Sequence, residues 1–419
     1  MMAVKDYILE KIKSYYLNSR DFNGYPIRDI KKDFELNINE AKKILEILIK
    51  ENKASLNFGD IHPNPYIMAF KEEGKDIQIA KLKSSDLEHV CVYPSPSLLK
   101  KTVDPSDYSG KPFTLKLAFG EPQLAFYSFG LSILDFYHND PQYRYWSNDI
   151  SGTICYETEN MEESDKILLE SFGFSYNEDM DRAVAVFLIY LSRLSSEHQQ
   201  VWSAKLKRGK FVLHPGYMQS SILGEWPEKV SIFDAFVEEL HHVNKMCKII
   251  GRPSLFRKTF HGEQKLKDFC FILRPTLKKH NEFISLLDKM ISQNINRNFF
   301  LNDVPLENEI TRKNGKIEVQ PKGTILLLDD WLKIKFKTKD RKPIEDMIDT
   351  FKQIRKMRQN PAHKVEDDVY DQKYFKEQRE IIIKAYSSIR TIRLMLANHP
   401  KLRDYKVPEW LFSGKIWNY

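Results

Sequence analysis

The sequence predicts a multidomain α+β protein, with a mainly helical N-terminal part, an α/β middle region and a C-terminal helical bundle. A chain of 419 residues is too long for one ordinary core, since domains usually contain roughly 100–200 residues. Apolar residues recur at helical spacing near both ends, whereas short alternating segments dominate the middle. We therefore expect domains over residues 1–75, 76–262 and 263–419.

Composition indicates a folded protein and leaves several partners open. Aromatic residues make up 12% of the chain, too many for a mainly disordered protein, and a net charge of +7 permits nucleic-acid contact without requiring it. The four cysteines are widely spaced, which argues against a zinc finger or a disulfide framework. No secretory signal is visible, and no apolar run approaches the ~20 residues that span a bilayer, so we expect a cytoplasmic protein without membrane contact.

Three helices and a hairpin are predicted for the first domain. Apolar residues recur at helical spacing over residues 7–16, 27–34 and 38–52, and Asn37 is a plausible N-cap for the third helix. The segment ASLNFGDIHPNPYIMAF, residues 54–70, alternates on either side of a Gly-Asp turn, as the two strands of a hairpin would.

This order of elements resembles the winged helix-turn-helix family. The resemblance implies a recognition helix over residues 38–52 that presents Lys42, Lys43 and Lys50 to nucleic acid. Glutamates share that helix, and the predicted hairpin tip is acidic. Winged helices also serve as protein-docking modules, so the partner implied here is either DNA or a protein.

Short strands are predicted for the middle region, whose role the sequence leaves unassigned. The segments that alternate or run apolar are DIQIAKL (76–82), HVCVYPS (89–95), FTLKLAF (113–119) and GTICYE (152–157). Between them, LAFYSFGLSILDFYH (124–138) is long enough to predict a buried helix. Neither G-x-x-x-x-G-K-[ST] nor G-x-G-x-x-G occurs, so we expect no nucleotide cofactor.

Helical patterns dominate the chain from residue 179 onward. The predicted helices cover residues 179–194, 231–250, 263–293, 343–360 and 371–397. One hairpin, EITRKNGKIEVQ, contains an Asn-Gly pair that suits a tight type I′ turn.

The segment IRKMRQNPAHK, residues 354–364, interrupts one of these helices. Apolar spacing over residues 343–360 turns Arg358 toward the packed side, where an arginine requires an anionic partner. Pro361 ends or kinks the helix, because it lacks an N–H and pushes Asn360 away from helical angles. On an unbroken helix Arg358 and His363 would lie about 140° apart, and the break allows both to reach one cleft.

With its Arg-x-x-x-x-His spacing at the end of a long helix, this segment resembles the HEPN superfamily of helical bundles. In that family an arginine and a histidine with R-x(4–6)-H spacing form a metal-independent ribonuclease site, usually at a dimer interface. The resemblance implies a homodimer that cleaves RNA without cofactor or metal, and often a toxin or antiviral effector. It assigns catalysis to Arg358 and His363, supported by Arg355. Gln359 follows the arginine where many members carry Asn, Asp or His, so the third polar residue is either Asn360 or Gln359.

These residue types suit RNA cleavage. A histidine titrates near neutrality and acts as general acid or base, while an arginine binds and polarises the scissile phosphate. Lys356 and Lys364 add positive charge beside them. The products that the family resemblance implies are a 2′,3′-cyclic phosphate and a 5′-hydroxyl. Two alternatives remain: a solvated helix end whose cations face the helix dipole, or a DNA-binding regulator with a non-catalytic dimerisation or RNA-binding bundle.

Other candidate motifs indicate structural roles. The run EELHH, residues 238–242, contains Glu-x-x-His on a predicted helix, but a di-iron bundle needs two such motifs and the chain has no second copy. We therefore expect a surface or capping role. His198 and His214 are lone histidines, and Asp329-Asp330 near a helix start is usually a helix-dipole feature. No metal site is predicted.

Overall fold

The computed structural model describes residues 2–60, 62, 64, 66–71, 73–226, 228–262, 266, 268–311, 317–359 and 367–419. The chain divides into two compact units, Met1–Pro227 and Glu228–Tyr419. The first unit mixes helices and strands, and the second is mainly helical. The mixed α/β class and the C-terminal helical region are thus as predicted from the sequence.

The first unit begins with helices around a small sheet. Its elements are α1 (Met2–Asn18), β1 (Tyr25–Pro26), α2 (Ile27–Asp33), α3 (Ile38–Lys50), β2 (Ala54–Asn57), α4 (Lys75–Ser84) and β3 (Cys91–Pro94). Strand β3 lies between β1 and β2 and pairs antiparallel with both. Asn37 caps α3, as predicted, in a capping box with Glu40. Apolar side chains from these four helices and the sheet form one core.

Two predictions for this region are wrong. The partner of β2 is β3, far beyond the hairpin expected over residues 54–70, and the segment DIQIAKL forms helix α4 instead of a strand. The reason is tertiary: Gln78 and Leu82, one helical turn apart, are both buried. The Gln78 side-chain oxygen accepts a hydrogen bond from the Leu56 N–H at 2.8 Å, so the helix completes the edge of β2.

An antiparallel sheet flanked by short helices forms the rest of the first unit. Its main elements are α5 (Pro96–Thr102), α6 (Pro112–Ala118), β4 (Phe126–Phe129), α7 (Ser132–His138), β5 (Tyr143–Ser147), β6 (Ser151–Tyr156), β7 (Leu168–Tyr176), β8 (Arg182–Phe187), α8 (Leu188–Ser192), α9 (Ser196–Ala204), β9 (Val212–Leu213) and α10 (Pro215–Met218). The strand order is β4-β8-β7-β6-β5, and β9 also pairs with β7.

Three further segments differ from the prediction. The run over residues 179–194 contains the central strand β8, which is buried along its whole length, and a continuous apolar run does not distinguish such a strand from a buried helix. Residues 124–138 form β4 and α7, separated at Gly130. FTLKLAF forms α6, because Pro112 starts a helix that buries Phe113 and Leu117 on one face.

The second unit is built around helix α15 (Lys373–Ala397). The elements before it are β10 (Val230–Ser231), α11 (Ile232–Ile249), α12 (Leu277–Met290), β11 (Glu307–Thr311), β12 (Ile317–Pro321), α13 (Thr324–Lys335) and α14 (Lys342–Gln359), and those after it are α16 (Glu409–Phe412) and β13 (Ile416–Trp417). Helix α15 packs against α11, α12 and α14. Helix α11, expected in the middle region, therefore belongs to this unit.

Most predictions for the second unit agree with the structure. Helices α11, α14 and α15 and the hairpin of β11 and β12 lie where expected, although the Asn314-Gly315 turn falls outside the described residues. The helix predicted over residues 263–293 is too long. Helix α12 starts only at Leu277, because Pro275 restricts the residue before it and Thr276 provides the N-cap.

Within the described ranges, every helix is too short or too polar to cross a lipid bilayer.

Candidate functional site

The end of helix α14 presents Arg358, the arginine singled out in the sequence. One face of α14 is buried through side chains such as Ile344, Phe351 and Ile354. Arg358 continues this face by one turn, so its guanidinium reaches α12. There its Nη1 donates to Asp288 Oδ2 at 2.8 Å. The structure thus supplies the anionic partner that the helical spacing required.

The carboxylate that holds Arg358 is buried, whereas the arginine side chain is partly exposed. The Asp288 side chain is 1% exposed and the Arg358 side chain 36% exposed. Asp288 also accepts a hydrogen bond from the Ser292 hydroxyl, one turn further along the chain. When its amide oxygen faces the arginine, Gln293 accepts a hydrogen bond from Arg358 Nη2 at 3.1 Å. Two protein acceptors therefore orient the guanidinium plane at the boundary between core and solvent.

Further polar residues surround this arginine on the last turns of α14. Arg355 is half-buried, and Lys356 and Gln359 are exposed. Cations near a helix C-terminus interact favourably with its dipole, so this placement also stabilises the helix end. The same charges provide a positive surface for a polyanion.

The remaining residues of the predicted site cannot be located. Asn360, His363 and Lys364, like Pro361, lie outside the described residues. The approach of His363 to Arg358 stays a prediction.

The same kind of spacing occurs again in the second unit, at Arg274 and His280 and at Arg393 and His399, and sequence reasoning missed it. Arg393 precedes His399 by six positions, within the family's R-x(4–6)-H range. Arg393 is 5% exposed and binds both carboxylate oxygens of Glu239 on α11. His399 is exposed, and its Nδ1 accepts a hydrogen bond from the Lys401 N–H. Arg393 therefore joins α15 to α11 inside the core.

The lysines predicted to contact nucleic acid lie on α3, partly covered by α4. The Lys42 ammonium donates to the Lys83 carbonyl oxygen at 3.1 Å, at the end of α4. Glu46 accepts from Lys50 at 2.8 Å and from Lys83 at 3.2 Å, and these contacts lower the pKa of Glu46. Lys43 is exposed. Two of the three lysines thus have protein partners on this face.

The other motifs considered in the sequence occupy different settings. His198 is buried and contacts the Tyr137 hydroxyl at 2.9 Å, and His214 caps α10. Asp329 and Asp330 each pair with a lysine. Among the described residues, one group of potential metal ligands brings Glu238 and His241 together with His261. His261 lies 20 positions beyond His241, so sequence spacing could not reveal this group.

A cavity of about 1140 Å³ in the first unit was also missed. Its lining comes from segments between residues 16 and 126 and combines aromatic side chains with lysines: Tyr16, Tyr93, Phe70, Phe119, Lys71, Lys100 and Lys116. Lys116 lies 3.5 Å from the Glu121 carboxylate and over the ring of Tyr127. No local motif connects these positions.

Comparisons with known proteins give no family for this chain. No family model matches it, and no match was found among curated proteins or solved structures. The function proposed below therefore rests on the residues and their geometry.

Proposed function

We propose that the chain is a metal-independent endoribonuclease of HEPN type, with its site at the C-terminal end of α14. The observation that carries the proposal is the partly exposed side chain of Arg358, whose guanidinium is held by the buried carboxylate of Asp288. An arginine that is fixed by the core and still open to solvent suits phosphate binding, because little conformational entropy is lost when the ligand binds.

The second unit offers a suitable framework. Helices α12, α14 and α15 pack together, and Arg358 belongs to one of the contacts that join α14 to α12. Arg355 and Lys356 add positive charge on the last two turns. Such a surface attracts RNA through its phosphates.

In the proposed reaction His363 removes the proton from a 2′-hydroxyl, or protonates the leaving 5′-oxygen. Arg358 neutralises the charge that develops on the phosphate. Asn360 or Gln359 orients one of these groups. The 2′-oxygen attacks phosphorus and the 5′-oxygen leaves with a proton, so the products are a 2′,3′-cyclic phosphate and a 5′-hydroxyl. No water is consumed in this step.

The proposal includes a homodimer that brings two such sites together, and a cytoplasmic role as a toxin or antiviral effector controlled by the first unit. These features follow the HEPN resemblance of residues 354–364. A dimer would place two basic helix ends near one RNA strand.

RNA cleavage tests the proposal directly. Full-length protein is incubated with a mixed RNA pool in EDTA, and product ends are analysed for cyclic phosphate. We expect Arg358→Ala and His363→Ala each to lower the rate at least about 100-fold with unchanged circular dichroism. Arg403→Ala, a matched change at an exposed arginine, should leave the rate within about twofold. Equal cleavage by the wild type and both site variants would contradict the proposal.

A DNA-binding regulator is the second candidate, and one observation favours it. The order α1-β1-α2-α3-β2-β3, with β3 between β1 and β2 and α4 in the connection between the last two strands, resembles that of a winged helix and supports this candidate. The protein contacts that Lys42 and Lys50 already make weaken this candidate.

Duplex DNA titration separates the two candidates. A regulator should bind duplex DNA with an affinity that falls steeply with salt, and Lys43→Ala should weaken binding while Lys32→Ala on α2 should not. Absence of duplex affinity at low salt would exclude this function.

A further inference from the structure

Two histidines and a glutamate form a group on α11 and the loop that follows this helix. Glu238 and His241 are one turn apart on α11, and His261 approaches them from the loop that follows the helix. The ligand atoms of all three lie within 4.8 Å of one another. Glu238 Oε2 is 2.9 Å from His261 Nε2, and the rings of His241 and His261 stack at a centroid distance of 4.3 Å.

We propose that Glu238, His241 and His261 bind a divalent transition-metal ion of the zinc class. Two imidazoles and one carboxylate are a donor set that zinc and its neighbours in the first transition series prefer, whereas Mg²⁺ and Ca²⁺ favour all-oxygen sites. Three protein ligands leave a coordination position open to solvent or a ligand. The inference is independent of the ribonuclease proposal.

The neighbouring residues provide the supporting contacts that metal ligands usually have. His242, 5% exposed, places Nε2 at 3.1 Å from Glu238 Oε1, the carboxylate oxygen that His261 does not contact. The other nitrogen of His242 lies 2.6 Å from the Tyr405 hydroxyl. Tyr405 thus holds a buried imidazole beside the Glu238 carboxylate, the position that outer contacts of metal-bound carboxylates occupy.

Exposure and charge decide whether a metal ion can reach this group and bind there. His261 is 45% exposed at its side chain, so an ion can enter without opening the core. Lys245 follows His241 on the same helix, and its positive charge opposes a cation there. The Glu238 carboxylate provides the compensating negative charge. If the three residues served only to hydrogen-bond one another, they would show no preference for a transition metal.

Metal titration of the full-length protein tests the inference. Protein treated with EDTA and then freed of it is titrated with Zn²⁺ by calorimetry, and with Co²⁺ by visible absorption, which reports coordination number and ligand type. We expect about one ion per chain. His241→Ala and His261→Ala should each weaken Zn²⁺ binding at least about tenfold, and Tyr405→Phe should weaken it about 10-fold.

Controls make the outcome decisive. His89→Ala, at an exposed histidine of the first unit, should leave Zn²⁺ affinity unchanged. His261→Asn removes the imidazole at the most exposed ligand, where folding should be unaffected, and circular dichroism checks this. Stoichiometric binding that His261→Ala and His261→Asn both leave intact would overturn the proposal, as would binding of Zn²⁺ only at millimolar concentration. Neither result depends on whether the protein cleaves RNA.

Discussion

Two arginine–carboxylate pairs join helices of the second unit, and they differ most in the exposure of the arginine. Arg358 connects α14 to Asp288 on α12, and Arg393 connects α15 to Glu239 on α11. Each arginine precedes a histidine at a similar spacing, and each carboxylate is buried. The arginines differ in exposure: the Arg358 side chain is 36% exposed and that of Arg393 is 5% exposed.

The difference in exposure means that Arg393 can act only as an internal cross-link, whereas Arg358 is accessible to a ligand. Burial raises the pKa of Glu239, and Arg393 opposes that shift, so the core holds this carboxylate in place through its partner. Arg393 has no exposed face for a ligand. Arg358 also satisfies a buried carboxylate, but part of its side chain stays in solvent. The spacing of arginine and histidine in the sequence is nearly the same for both, so burial is the feature that distinguishes them.

Loss of the buried arginine should have the largest effect on stability. Arg393→Ala leaves Glu239 buried without its charged partner, and such changes cost about 3–5 kcal/mol. Urea unfolding followed by circular dichroism measures this. A cost below about 1 kcal/mol would show that Arg393 is not the cross-link described here.

Loss of the half-exposed arginine should cost less. In Arg358→Ala, Asp288 keeps the Ser292 hydrogen bond, and water can enter where the guanidinium was, so we expect about 1–2 kcal/mol. The measurement is again the free energy of unfolding in urea. Destabilisation equal to that of Arg393→Ala would remove the contrast between the two pairs.

The pH dependence of stability should show a third effect, similar in size to that of Arg358→Ala. Burial lowers the pKa of His280 on α12 to about 4, and its Nε2 lies 3.6 Å from Glu377, too far for a hydrogen bond. Between pH 6.5 and about 4, His280 is therefore protonated in the unfolded chain and neutral in the folded chain. Stability contributed by neutral His280 is present above pH 6.5 and decreases as pH falls, by on the order of 2 kcal/mol.

The matched variant His280→Gln isolates this contribution. Unfolding free energies measured at several pH values between 6.5 and 4.5 should fall less steeply for the variant than for the wild type. Parallel curves would mean that His280 titrates normally in the folded protein.

The smallest effect is expected for an ion pair outside the core. Lys83→Ala removes the contact with Glu46 between α4 and α3, where solvent screens the charges. The urea midpoint should stay within experimental error. A clear decrease would indicate that α4 depends on this contact to cover α3.

Much of the second unit could be predicted from the sequence, because its helices are long and amphipathic. Helix α15 buries Ile382, Ala385 and Ile389 at helical spacing, and α14 repeats this pattern as far as Arg358. The first unit was harder. Strand β8 is buried on both faces and has no alternation, and α4 has an alternating sequence although Gln78 and Leu82 are its buried positions.

The partners of the site could not be predicted, because they are distant along the chain. The helical spacing required an acid for Arg358 but did not identify Asp288, 70 residues earlier. Likewise, Glu238 and His241 belong to one sequence motif, whereas His261 is brought close to them by the loop that follows α11. Local periodicity carries no information about either contact.

A pair of conservative variants tests the central proposal that Arg358 binds the RNA phosphate whereas Arg393 stabilises the core. RNA cleavage per folded molecule is measured for Arg358→Lys and Arg393→Lys, both of which keep the charge but lose the planar, bidentate guanidinium. We expect Arg358→Lys to lower the rate at least about tenfold and Arg393→Lys to change it less than about twofold. Equal rates for the two variants, or a greater loss in Arg393→Lys, would contradict the account.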